Sequence, residues 1–244
     1  MIKTENLTKA YDGVKAVDSL DLHVEKGDVF GFLGPNGSGK TTTMGMMIGE
    51  IEPTSGKCFI NGIDVLRHPL DVKRIIGYMP DGLGFYENLN ARQNLKFFSE
   101  FYDLPYDKAD KRITELLKYV GLEGVEKKTE GYSRGMKQRL GLAQALLNDP
   151  EVIFMDEPTN GLDPQGVMQV RNIIKDLSSR GKTIFFSSHI LEEVRHVCKT
   201  VGIISQGKLI AKGSLDDVMH KMDKGTAPER SLEEIFLQTV YGGA

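Results

Sequence analysis

Eight consecutive residues, Gly34-Pro35-Asn36-Gly37-Ser38-Gly39-Lys40-Thr41, set out glycines, a lysine and a hydroxyl in an order that suits phosphate. The glycines let backbone amides turn inward around an anion, Lys40 can reach the terminal phosphates of a nucleotide, and Thr41 offers a hydroxyl to Mg²⁺. The nucleotide-contacting run extends to Thr42. A second pair able to do chemistry, Asp156-Glu157, closes the apolar run Val152-Ile153-Phe154-Met155. Carboxylates at the end of a buried strand have distinct uses: Asp156 can hold Mg²⁺ directly or through water, and Glu157 can polarise an attacking water. The two motifs together imply cleavage of a nucleotide phosphate.

Such side chains need a rigid frame, and the sequence on either side supplies its signals. The loop follows the apolar run Val29-Phe30-Gly31-Phe32-Leu33, and Thr41 to Ile48 follows it without a helix breaker, so a strand leads in and a helix leads out. In that helix Met44, Met46, Met47 and Ile48 are expected to pack in the core, where methionine fills irregular space. Residues 1 to 33 read as short strands broken by turns at Asp12-Gly13 and Lys26-Gly27, and Cys58 to Val65, around Asn61-Gly62, reads as more antiparallel sheet.

From about 87 to 150 the pattern becomes helical. Leu95, Phe98, Phe101 and Tyr102 recur at helical spacing, as do Ile113, Leu116, Leu117 and Val120, which suggests an inserted helical subdomain. Strand-like runs return at Val152 to Met155 and Thr183 to Phe186, separated by an amphipathic helix from about Pro164 to Ser179; that alternation predicts a parallel sheet with crossover helices. Val201 to Ala211 reads as a hairpin. Residues 223–244 are expected to form a linker and a short terminal helix opened by the capping pattern Ser231-Leu232-Glu233-Glu234.

Composition narrows the class of protein. The 244 residues are 27% charged and 40% hydrophobic with a formal charge of −3, and the basic residues are interspersed with acidic ones. No nucleic-acid partner is expected from such a distribution. Cys58 and Cys198 lie far apart outside any metal-ligand spacing and read as reduced structural thiols, which fits a cytosolic location. The start, Met1-Ile2-Lys3-Thr4-Glu5, lacks the apolar core of a signal peptide, and no window approaches a membrane span. A protein of this kind working at a membrane would borrow its spanning helices from another chain.

With these motifs in place, the chain resembles the nucleotide-binding subunits of ABC transporters over nearly its whole length. The deciding residues are Tyr132-Ser133-Arg134-Gly135-Met136-Lys137-Gln138-Arg139, similar to the ABC signature before a helix. The resemblance implies an α/β P-loop NTPase with a RecA-like parallel-sheet core, an antiparallel β subdomain and the inserted helical subdomain, together spanning residues 1–222. It also implies a head-to-tail dimer in which the signature residues Ser133, Arg134, Gly135 and Met136 of one subunit face the other's nucleotide, with Ser133 and the Gly135 amide gripping its γ-phosphate. By the same resemblance Tyr11 stacks on adenine, Asp163 communicates with the opposite site, and His189, in Ser187-Ser188-His189, contacts the γ-phosphate alongside Lys40 and the catalytic Glu157.

The departures from the family pattern are informative. After Ile76-Gly77-Tyr78-Met79-Pro80 the usual Gln is replaced by Asp81, which can ligate Mg²⁺ or stand as a solvated turn residue. Arg134 and Met136 replace the more usual Gly and Gln of the signature. The resemblance is greatest to exporters of the antibiotic-resistance and gliding-motility type. It implies ATP and Mg²⁺, a second ATPase subunit, a membrane-spanning permease and a peripheral location on the inner face of the cell membrane. Phe85, Tyr86 and Leu89 are candidates for a groove that receives the permease, and are equally readable as core packing. A soluble ABC ATPase that scaffolds an assembly complex, for example for iron-sulfur clusters, is the alternative; the long coiled-coil insertions and basic arms of DNA- or ribosome-acting relatives are missing.

Overall fold

The computed structural model describes residues 1–102 and 105–222. In chain order, β1 (Ile2–Tyr11), β2 (Val14–Val24) and β3 (Val29–Leu33) lead through the glycine loop into α1 (Lys40–Met47). There follow β4 (Ser55–Ile60), β5 (Ile63–Asp64), α2 (Pro69–Ile75), β6 (Ile76–Met79), α3 (Ala91–Ser99), α4 (Tyr106–Tyr119) and α5 (Arg134–Ala145). The chain continues through β7 (Val152–Asp156), α6 (Pro164–Ser179), β8 (Thr183–Ser188), α7 (Leu191–Arg195), β9 (Thr200–Ser205), β10 (Lys208–Ser214) and α8 (Leu215–Met222). The linker and terminal helix expected over 223–244 lie outside the described residues.

The strands form two sheets. One is antiparallel, in the order β2-β1-β4-β5; the other has the order β10-β9-β3-β8-β7-β6, parallel except for the β9-β10 hairpin. Both faces of the parallel sheet are covered, so its central strands β3, β7 and β8 are buried throughout and mostly apolar, and successive side chains enter opposite cores. In β7, Ile153 and Met155 face the core shared with α4, α5 and α6, while Val152 and Phe154 face the core shared with α1 and the antiparallel sheet. Met44, Met46 and Met47 pack in that second core, as their clustering predicts.

Two readings of the sequence need correction. The N-terminal strands are not short: β1 and β2 run for 10 and 11 residues. The turns at Asp12-Gly13 and Lys26-Gly27 fall where expected, and the strands between them stay paired over their length through bulges, with register shifts between Thr4 and Leu7 and between Leu7 and Lys9 and with Asn6 and Ser19 at φ of 48° and 51°. Phe101 is not on the buried face of a helix. α3 stops at Ser99, and the tighter 3₁₀ turn Glu100–Tyr102 rotates Phe101 outward, where it is 70% exposed against the edge of Phe97.

The thiols are both free, and burial pushes that of Cys58 up to about 12, as befits a packed structural residue. Among the described residues no helix is long and apolar enough to cross a membrane.

Helix α5 is held against β6 by a backbone approach that only glycine permits. A Cβ on Gly77 would lie 1.9 Å from the Ala145 carbonyl oxygen and 3.0 Å from Pro150 Cγ. Gly77→Ala is therefore expected to lower the unfolding free energy by about 3 kcal/mol through overpacking. Urea unfolding checks this: an unchanged midpoint would contradict the close approach.

Candidate functional site

Three neighbouring parallel strands end together. β8 lies between β3 and β7, with Leu33 opposite Ser188 and Asp156 opposite Ser187. The residues that follow these ends, Gly34, His189 and Glu157, are therefore neighbours although the chain separates them widely. Ligand sites in open α/β sheets form beyond such carboxyl ends.

The glycine loop is closed tightly over β3. A Cβ on Gly34 would lie 2.3 Å from the Ile204 carbonyl oxygen and 2.5 Å from Ser38 Oγ, and Gly39 has φ 105° with the Ala16 carbonyl 2.5 Å from where its Cβ would be. Lys40 Nζ donates to the carbonyls of Gly34 at 2.8 Å and Pro35 at 3.2 Å. No side chain caps α1, and its first turn carries no acidic residue, so its free amides and positive end face the loop. The buried hydroxyl of Ser38 has no hydrogen-bond partner among the described residues.

Around this loop the polar side chains form one connected set. Thr41 Oγ1 donates to Asp156 Oδ2 at 2.8 Å, and Ser187 Oγ donates to Asp156 Oδ1 while accepting the Glu157 amide at 3.0 Å. Glu157 pairs with Lys40, its Oε1 3.2 Å from Nζ, and lies 2.7 Å from His189 Nδ1 through Oε2. Its backbone sits at φ 49°, a left-handed conformation that costs on the order of 1 kcal/mol for a residue with a side chain. The Glu157 amide's bond to Ser187 Oγ and the Asn160 amide's bond to the Glu157 carbonyl, each at 3.0 Å, hold that turn in place. Next to this set, burial and the Asp156 charge push the Tyr78 hydroxyl well above its usual range, so it stays protonated.

A cavity of about 460 Å³ opens here, lined by Asn36, Gly37, Gly39, Lys40, Thr41 and Thr42 with Asp81, Glu157, Asn160 and His189. Asp81 faces the cavity and accepts a 3.2 Å bond from Asn160 Nδ2. Tyr11 is not brought to this wall: it is 47% exposed at the end of β1, with Lys9 over its ring. The donor set fits Mg²⁺. Thr41 and Asp156 offer adjoining hard oxygens and Asp81 lines the same cavity as Thr41, and a few protein oxygens suffice when substrate phosphates complete the shell. No group of three or more metal-binding side chains is found among the described residues.

A second cavity, of about 500 Å³, shares none of those residues. Ser133, Arg134 and Gly135 at the start of α5 line it with Asp163 at the start of α6. Ser133 Oγ caps α5 by accepting from the Met136 amide at 3.3 Å, and Asp163 Oδ1 caps α6 by accepting from the Gly166 amide at 2.7 Å. Met136 itself turns inward against the core and does not line the cavity. Three residues that hold these sites lie in or beside the motifs without a role that the sequence assigns them: Ser187, Asn160 and Gln138, whose Nε2 donates to the Pro158 carbonyl at 3.1 Å. The sequence marks Ser187 only as a polar residue directly after the apolar run Ile184-Phe185-Phe186.

Comparison with known proteins adds the following. Residues 17–160 match the family model described as ABC transporter. The chain is 45% identical over 226 residues to the bacitracin transport ATP-binding protein BcrA of Bacillus licheniformis, covering 92% of this chain and 73% of that protein. It is 38% identical over 244 residues to the linearmycin resistance ATP-binding protein LnrL of Bacillus subtilis, covering 98% and 78%. Among solved structures, an ATP-binding subunit of an ABC transporter superposes with a TM-score of 0.85 at 28% identity, covering 98% of both chains. A dimeric ATP-binding cassette in a post-hydrolysis state with ADP and Pi gives 0.81 at 26% identity, covering 88% of this chain and 98% of that one.

The bridging role of Ser187 generates a test. Ser187→Ala leaves a buried carboxylate and a buried amide each short of a partner, and is expected to lower the unfolding free energy by about 2 kcal/mol. Chemical denaturation measures it, and wild-type stability would show that the Asp156–Ser187–Glu157 bonds do not hold the site.

Proposed function

We propose, for a chain that belongs to the ABC transporter family and is one of its ATP-binding, ATP-hydrolysing subunits, that it drives an exporter through ATP-dependent pairing of two subunits. The observation that carries this reading is the presence of two separate half-sites on one chain. One cavity has the phosphate loop and Glu157; the other presents the capped start of α5 with Ser133 and Gly135. Head-to-tail pairing gives each loop the other chain's helix start, where free amides and the helix dipole favour an anion.

In the proposed cycle ATP lies along Gly34 to Thr42 with its γ-phosphate beside Lys40. Tyr11 would have to leave its contact with Lys9 to stack on adenine. Thr41 and Asp156, with Asp81 opposite, would hold Mg²⁺, which neutralises charge on the phosphate oxygens when bound. Glu157 orients and polarises the attacking water. Before ATP arrives, its carboxylate is tied to Lys40 and His189; engagement of the phosphate by those two groups frees it to act on water. Lys40, His189 and the partner's Ser133 and Gly135 then oppose the negative charge that develops at the transition state. Asp163, at the edge of the second cavity, lies where the paired chain would meet it.

Transport gives this cycle its purpose. The relatives named for bacitracin transport and linearmycin resistance support export over a soluble scaffolding role. A permease would supply the membrane-spanning helices and hold this chain at the inner face of the membrane. Tyr86 is exposed beside Phe97, while Phe85 packs partly into the core, so of the candidate groove residues Tyr86 is the best placed to meet it. Glu157→Gln tests the chemistry. It is expected to slow ATP turnover by a factor on the order of hundreds or more while sparing ATP binding. Turnover at the wild-type rate, measured by phosphate release, would overturn the role of Glu157.

A further inference from the structure

The first turn of α5 and the loop after Glu157 meet at a contact made by Arg134, one of the positions at which the signature departs from its usual residue. Gly161 has φ 67°, and a Cβ there would lie 2.5 Å from Arg134 Cζ, 2.6 Å from Nη1 and 2.7 Å from Nε. The guanidinium thus lies across the bare Gly161 backbone, in space that no other residue leaves open. Among the described residues it has no carboxylate within ion-pairing distance, so its position is set by this packing and not by a charge partner.

The same helix grips the same loop at other points. Gln138 Nε2 donates to the Pro158 carbonyl at 3.1 Å, Leu162 Cδ2 lies 3.8 Å from where a Gly135 Cβ would be, and Arg139 Nη1 donates to Gln169 Oε1 at 2.8 Å on α6. The loop is stiff between these points, because the Asn160 amide bonds the Glu157 carbonyl at 3.0 Å and the Leu162 amide bonds the Thr159 carbonyl at 3.1 Å. One end of this short segment is Glu157, facing the phosphate-loop cavity; the other is Gly161 to Asp163, facing the second cavity.

We propose that Arg134 is a positioning residue, a clasp over Gly161 that makes the start of α5 and the Glu157-bearing loop move as one unit. On the proposed reading that the start of α5 engages nucleotide held by a second chain, on which this inference rests, the clasp carries the state of that contact to the chain's own Glu157. A planar guanidinium can cover a peptide face, whereas an ammonium on a flexible stem cannot, so shape and not charge alone sets the requirement.

A double-mutant cycle of the full chain with R134G and G161A tests the clasp, read by steady-state ATP hydrolysis. The left-handed strain that G161A introduces is common to both backgrounds, while the collision of the new methyl group with the guanidinium occurs only when Arg134 is present. The loss of kcat caused by G161A is expected to be at least about fivefold greater with Arg134 in place than in the R134G background, the size of coupling that touching residues show. R134G and R134K should both lower kcat while leaving KM for ATP within about twofold, a split that general loosening of the fold would not give. Additive effects in the cycle, or full wild-type kcat in R134K, would overturn the clasp. The same cycle followed by urea unfolding reads the contact without turnover, and additivity there overturns it as well. Absence of ATP hydrolysis in the wild-type chain would instead count against the proposed function, with the unfolding cycle still deciding the clasp; should G161A fail to fold, the R134K kinetics decide it.

Discussion

The site depends on one constraint: β3, β8 and β7 lie side by side in parallel register and end at the same level. Parallel strands need crossover connections, and those helices bury both faces of the sheet, so within the sheet itself polar side chains gather at the strand ends. The glycine loop leaves β3, Asp156 and Glu157 close β7, and Ser187, Ser188 and His189 close β8. Groups from three distant segments are thereby held within hydrogen-bond reach, with Asp156 joined to Thr41 on one side and Ser187 on the other.

That arrangement brings charge into a nearly dry place. Lys40 and Glu157 are both buried, and an ion pair there gives little net stability because desolvation opposes the Coulomb attraction. Its physical meaning is poise. Lys40 is bonded to loop carbonyls and paired with Glu157, Glu157 also meets His189, and its backbone is held in a left-handed turn. Strain and buried charge concentrated at one turn, in a fold otherwise built from regular strands and capped helices, mark where structure has been given over to chemistry.

Helix α5 connects this site to the rest of the molecule. Gly77 lets it approach β6, Ser133 caps its first turn, and Gln138 and Arg134 hold the loop that runs from Glu157 to Asp163. Its two ends therefore answer to different surroundings, one to the sheet and one to the second cavity.

Much of this was legible in the sequence because it is local. The glycine loop between an apolar strand and a helix, the carboxylate pair after Met155, the Pro164–Ser179 helix and the turns at Asp12-Gly13 and Asn61-Gly62 follow from backbone freedom, periodicity and capping, which are short-range properties. The length of β1 and β2 is not legible because bulges preserve pairing that alternation alone cannot see, and helical spacing does not place Phe101 because a 3₁₀ turn changes the period without changing the residues. Sequence by itself determined which residue types suited to phosphate chemistry stand together and what frames them. Only the tertiary structure decided that β8 inserts between β3 and β7, that Ser187 joins Asp156 to the Glu157 amide, and that Arg134 covers Gly161, since strand order and side-chain contact are set by long-range packing that no local pattern encodes.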